Sequence, residues 1–160
     1  MRKLGHQLVD LIWRKARSLP LEQRSKYYRT IFLAAEMGNV EFLTILIDSD
    51  PYLIYMVDEK GQNIFHISIR YRQENIFNLI YEIGVFKDMI ATNCDKDGNN
   101  MLHLAGEFSQ PNIVVGPALH MQHELLWFEV CQYHCSFLYS SFIYIYIGHN
   151  FIVQFTHRLL

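Results

Sequence analysis

One short string occurs twice in this chain, 37 residues apart, and it restricts the possible folds more than any other feature. Asp58-Glu59-Lys60-Gly61 leads into Asn63-Ile64-Phe65-His66-Ile67, and Asp95-Lys96-Asp97-Gly98 leads into Asn100-Met101-Leu102-His103-Leu104. The copies agree at the Asp, the Gly, the Asn, the His and the apolar positions between them. A recurrence of this period marks a stack of units, because one such unit cannot bury its apolar face alone and packs on its neighbours.

Each residue type in the string has a physical role. Asp58 and Asp95, with Gly61 and Gly98 three residues on, suit a tight turn: the Asp carboxylate accepts from nearby backbone N–H groups, and Gly tolerates positive φ. Asn63 and Asn100 are placed to cap a following helix through their side-chain oxygens. His66 and His103 fall in the first turn of that helix, where imidazole hydrogen bonds tying neighbouring turns are expected. Ile64, Phe65, Ile67 and Ile69 make the helix apolar nearly all round, as do Met101, Leu102 and Leu104, so it belongs between layers.

These strings resemble ankyrin repeats, with Asn63-Ile64-Phe65-His66 and Asn100-Met101-Leu102-His103 standing where that family carries Thr-Pro-Leu-His. A third copy lies upstream at Ala34-Ala35-Glu36-Met37-Gly38-Asn39, followed by Val40, Phe42, Leu43, Leu46 and Ile47 as a second helix, with Phe32 at the His position. The wording of 94–106 and of Met121-Gln122-His123-Glu124-Leu125-Leu126-Trp127-Phe128 is similar to plant ankyrin proteins that carry a C-terminal Pro-Gly-Gly membrane domain. The resemblance covers residues 1–130. It implies an all-α ankyrin solenoid of about three degenerate helix-turn-helix repeats with an N-terminal helix, and a lineage associated with membranes and with stress or defence signalling. The chain is expected to be truncated before the membrane domain.

The 160 residues suffice for one modest core, and a charged fraction of 19% against 51% hydrophobic is globular. The net charge of −2 conceals a division: residues 1–30 carry eight Lys or Arg and two acids (+6), the remainder six and fourteen (−8). Such a division suits a membrane-facing or acidic-partner surface at the N-terminus, or simply a solvated basic face. Cys94, Cys131 and Cys135 form no disulfide pattern and fit a reducing compartment. No secretory leader is legible at Met1-Arg2-Lys3, so a cytoplasmic location is expected, with the cytosolic face of a membrane as the alternative.

Along the chain, Leu4, Leu8, Leu11, Ile12 and Trp13 predict an amphipathic helix that packs on the first repeat and breaks before Pro20. Residues 1–29 are read as this basic helix plus a polar linker from Leu21. Paired helices are expected at 30–36 and 40–48, 63–70 and 74–82, and 100–107, with 52–57 and 87–93 as connections and Arg72 where a Gly is preferred. A longer loop is expected around Ser109-Gln110-Pro111-Asn112. Pro117 can open a last helix ending near Glu129, which closes the repeat region 30–130.

Residues 131–160 are an irregular or hydrophobic aromatic tail. Between Glu129 and Arg158 no charged residue occurs. Two readings stay open for it: a transmembrane anchor over 136–153, or non-native sequence from a transcript read into an intron.

No phosphate-cradling glycine loop, nucleophile elbow or paired carboxylate is present, so neither an enzyme nor a cofactor site is expected. His120, His123, Cys131, His134 and Cys135 are metal-compatible but lack a zinc-finger spacing, and no metal is expected. The basic segment lacks the exposed aromatics of RNA-binding modules, so no nucleic acid is expected either. The function expected is protein–protein interaction with a partner the sequence does not name, through the repeat tips Glu59, Lys60, Gln62, Lys96, Asp97 and Asn99. The alternatives are a membrane-anchored ankyrin protein and a nonfunctional truncated product.

Overall fold

A computed structural model describes residues 2–107 and 116–135. The loop around 109–112 and the candidate span 136–153 lie outside these residues. The fold is all-α, with no strand among the described residues. Eight α-helices are described: α1 (Arg2–Arg17), α2 (Leu21–Glu36), α3 (Val40–Ser49), α4 (Ile64–Arg70), α5 (Glu74–Phe77), α6 (Phe86–Thr92), α7 (Met101–Ala105) and α8 (Pro117–Cys135).

The helices form two rows. In one row α2 packs on α4 and α4 on α7; in the other α1 packs on α3, α3 on α5, and the α5 ring of Phe77 meets Trp127 of α8 edge-on at 5.9 Å. Between the rows lies one core built from Ile31, Leu43, Leu46, Phe65, Ile76 and Leu102, among others. Every residue of α4 from Ile64 to Ile69 is buried. Such a helix has no solvated face and depends on both neighbours.

Several boundaries differ from the sequence expectation. The stretch from Leu21 is not a linker but the first half of α2, because Tyr28 and Ile31 fall on its packed side while the polar residues line the other; Tyr28 packs against the Trp13 ring at 6.1 Å. Residues 51–55 form a 3-10 turn opened by Pro51, which buries Leu53 and Ile54. The 74–82 helix narrows to α5 followed by a 3-10 turn at Asn78–Tyr81. Residues 87–93 are mostly α6, which buries Ile90 and Ala91. The last helix runs past Glu129 to Cys135 and buries Cys131, so the boundary at 130 cuts through it. Finally, α1 packs through Trp13 and Ala16, not through Leu4, Leu8, Leu11 and Ile12, which stay exposed.

Candidate interaction surface

The two copies of the repeated string adopt one geometry. Asp58 Oδ1 accepts from the N–H groups of Lys60 and Gln62, both at 2.8 Å, and Asp95 Oδ1 accepts from those of Asp97 (3.0 Å) and Asn99 (2.8 Å). Gly61 and Gly98 each turn the chain with φ of 80°. The backbone closes each loop through Asp58 N–H to the Gln62 carbonyl (2.9 Å) and Asp95 N–H to the Asn99 carbonyl (2.8 Å).

Behind each turn stands a capping box. Asn63 Oδ1 accepts from the N–H groups of Phe65 and His66 at 3.0 Å, and the Asn63 N–H donates to His66 Nδ1 at 3.4 Å. Asn100 and His103 repeat the exchange at 3.0 and 3.3 Å. With Nδ1 accepting, the proton sits on Nε2, and His66 Nε2–H donates to the Asn93 carbonyl at 3.0 Å, at the entrance to the next turn. Burial pushes the His66 imidazole below its ordinary 6.5, although the Asn93 carbonyl and the charges of Asp95 and Asp58 pull the other way.

The turns are also joined to each other. Lys96 N–H donates to the Lys60 carbonyl at 2.9 Å, and Gln62 Nε2 donates to Asp95 Oδ2 at 2.9 Å. Burial alone would raise the Asp95 carboxyl, yet the hydrogen bonds from Gln62, Asn99 and Asp97 hold it below the usual range. Gln62 is therefore not a tip residue: at 3% exposure it points inward and spans two turns. Glu59, Lys60, Lys96 and Asp97 are exposed, and Asn99 is half-buried. The Lys60–Lys96 link sets two short mixed-charge tips side by side, a surface that can hydrogen-bond and pair charges with a polypeptide.

A second set of contacts has no counterpart in the repeat pattern. Arg72 takes a left-handed backbone (φ 57°), and its guanidinium grips both carboxylate oxygens of Glu124 at 2.6 and 3.2 Å, the Ile69 carbonyl at 2.8 Å and the Glu107 carbonyl. It also stands 5.9 Å from the centre of the Trp127 ring. Arg70 reaches Gln62 at 3.4 Å within its own unit and Glu107 at 3.2 Å, the residue at its own register position in the next copy. Gln73 Nε2 donates to the Glu36 carbonyl at 2.7 Å and ties the first unit to the second. The unusual Arg at 72 was the only signal of this clamp in the sequence.

Among the described residues no group of three or more His, Cys, Asp or Glu could hold a metal ion, and no helix is long and apolar enough to cross a membrane. Cys131 is buried and Cys94 exposed, and neither is in a disulfide. A shallow groove of about 270 Å³ runs along α2 and α3 beside Leu33, Met37 and Phe42. Compared with protein-family models, curated proteins and solved structures, the chain matches none.

Proposed function

We propose that this chain is an ankyrin-type repeat stack that binds another protein, without catalysis, through the joined turn tips Glu59, Lys60, Lys96 and Asp97. The observation that carries the reading is the Lys96 N–H to Lys60 carbonyl bond, which makes one continuous edge of two turns. Stacked repeats bind along such an edge. The resemblance of residues 94–106 and 121–128 to plant ankyrin proteins is what supports a place in that lineage and in its stress or defence signalling.

The four tip side chains bear none of the hydrogen bonds that shape the turns, which are made by Asp58, Asp95 and backbone groups. Replacing all four by Ala therefore leaves the fold intact and removes the recognition chemistry. Proteins crosslinked to the tagged chain in plant cells, identified by mass spectrometry, decide the matter. The reading predicts a set of partners captured by the wild type and lost in the tip variant at equal thermal stability; identical sets would overturn it.

A further inference from the structure

The end of the stack opposite α8 carries an apolar surface that no element among the described residues covers. On α1, Leu4, Leu8, Leu11, Ile12 and Lys15 follow the spacing i, i+4, i+7, i+8, i+11 and share one helix face. The four apolar side chains are 71%, 57%, 67% and 50% exposed, while Trp13 and Ala16 on the other side are 4% and 3% exposed. The side packed on α3 is further fixed by Asp10 to Ser49 and by Arg17 to Asp50 at 3.4 Å. One helix thus has two apolar faces, of which the fold uses one.

Helix α2 repeats the arrangement. Its packed side meets α4, and its other side presents Leu33 and Met37, 53% and 72% exposed, on the same stripe as Lys26. The register equivalents of Leu33 in the next two units, Ile67 and Leu104, are buried at 5% and 0%. Because α1 and α2 each pack on the following helix of their row, their free faces open at the same end of the stack.

Charge selects the occupant. Lys15, Lys26 and Arg29 are exposed on or beside the stripes and outnumber the one exposed acid there, Glu22, within the part of the chain that carries +6. A second copy docking face to face would set these cations against each other, whereas an anionic lipid surface neutralises them. A lysine at the end of an apolar stripe can lay its methylenes along it and keep its ammonium at the headgroups.

We propose that the free face of α1, continued by α2, lies on an anionic lipid bilayer, with the leucine ridge among the acyl chains and the lysines at the headgroups. This binding is separate from the turn tips and from residues 136–160. It places the first unit against the membrane, at the far end of the stack from α8.

Flotation of the full chain with phosphatidylcholine vesicles, with and without phosphatidylserine, tests the proposal. The wild type should float with the phosphatidylserine vesicles, and binding should weaken as salt is raised. Leu8→Glu/Leu11→Glu should reduce the partition coefficient about tenfold or more, and Lys15→Ala about fivefold. Both variants should keep the wild-type thermal midpoint, since these side chains are exposed; if the double Glu variant melts early, Leu4→Gln/Leu8→Gln replaces it. Absence of wild-type flotation would overturn the proposal, as would equal flotation of wild type and leucine variants, which would assign lipid binding elsewhere in the chain. A lipid-free dimer dissolved by the leucine substitutions would overturn it in favour of a second copy on this face.

Discussion

At the scale of single residues, His66 does more than its neighbours because both ring nitrogens are committed, one to its own helix cap and one to the Asn93 carbonyl. His66→Ala leaves a buried N–H and a carbonyl short of partners, so urea unfolding should show a loss of about 1–2 kcal/mol. His103→Ala should cost less, since that ring is half-buried and no bond corresponding to His66–Asn93 is present among the described residues. The proton adds a second readout. The folded chain holds His66 neutral below 6.5, so the unfolded chain binds the proton more readily, and stability contributed by this group is complete above 6.5 and falls as pH drops from 6.5 toward the folded value. Stability measured against pH should lose that slope in His66→Gln; an unchanged slope would place its origin elsewhere. The caps and the histidines are legible in the sequence because local hydrogen bonding fixes them. Gln62 is not, because its inward turn toward Asp95 depends on a residue 33 positions away.

At the scale of elements, the turns and the clamp on α8 answer to different physics. Gly61 and Gly98 share φ of 80°, but a Cβ at Gly61 would approach Lys96 N at 3.1 Å while one at Gly98 meets open space. Ala at Gly98 should therefore cost about 1 kcal/mol from the left-handed backbone alone, and Ala at Gly61 more, in paired urea titrations. Arg72 is strained in the backbone and held by its side chain. Arg72→Ala takes the guanidinium away from the buried Glu124 carboxylate and should destabilise by up to about 3 kcal/mol. Adding Glu124→Gln should recover part of the loss, and a double-mutant cycle with no coupling would remove the clamp from the account. Strong apolar runs and caps made most helices readable. The half of α2 from Leu21, the 3-10 turn at Pro51–Tyr55 and α6 are hidden by polar or short segments, whose helical state follows from packing Tyr28 or burying Leu53 or Ile90 against other units.

At the scale of the molecule, the all-α class follows from the spacing of the repeated string, but the ends of the stack do not. The leucines of α1 have the same periodicity whether they face the core or solvent, and only the packing of Trp13 and Ala16 on α3 decides which way the helix turns. At the other end Cys131 is buried beyond the expected boundary, so a fragment ending at Cys135 should retain the cooperative unfolding of the repeats, and one ending at Glu129 should unfold more easily by circular dichroism. The central claim is that neighbouring turns are bonded into one edge. Amide hydrogen exchange at Lys96 tests it most directly, because Lys96 stands in an exposed turn where an isolated loop would exchange freely, yet its N–H is bonded to the Lys60 carbonyl. The account predicts strong protection of the Lys96 amide that weakens in Gly61→Ala; exchange at the rate of an unprotected loop in the wild type would contradict it.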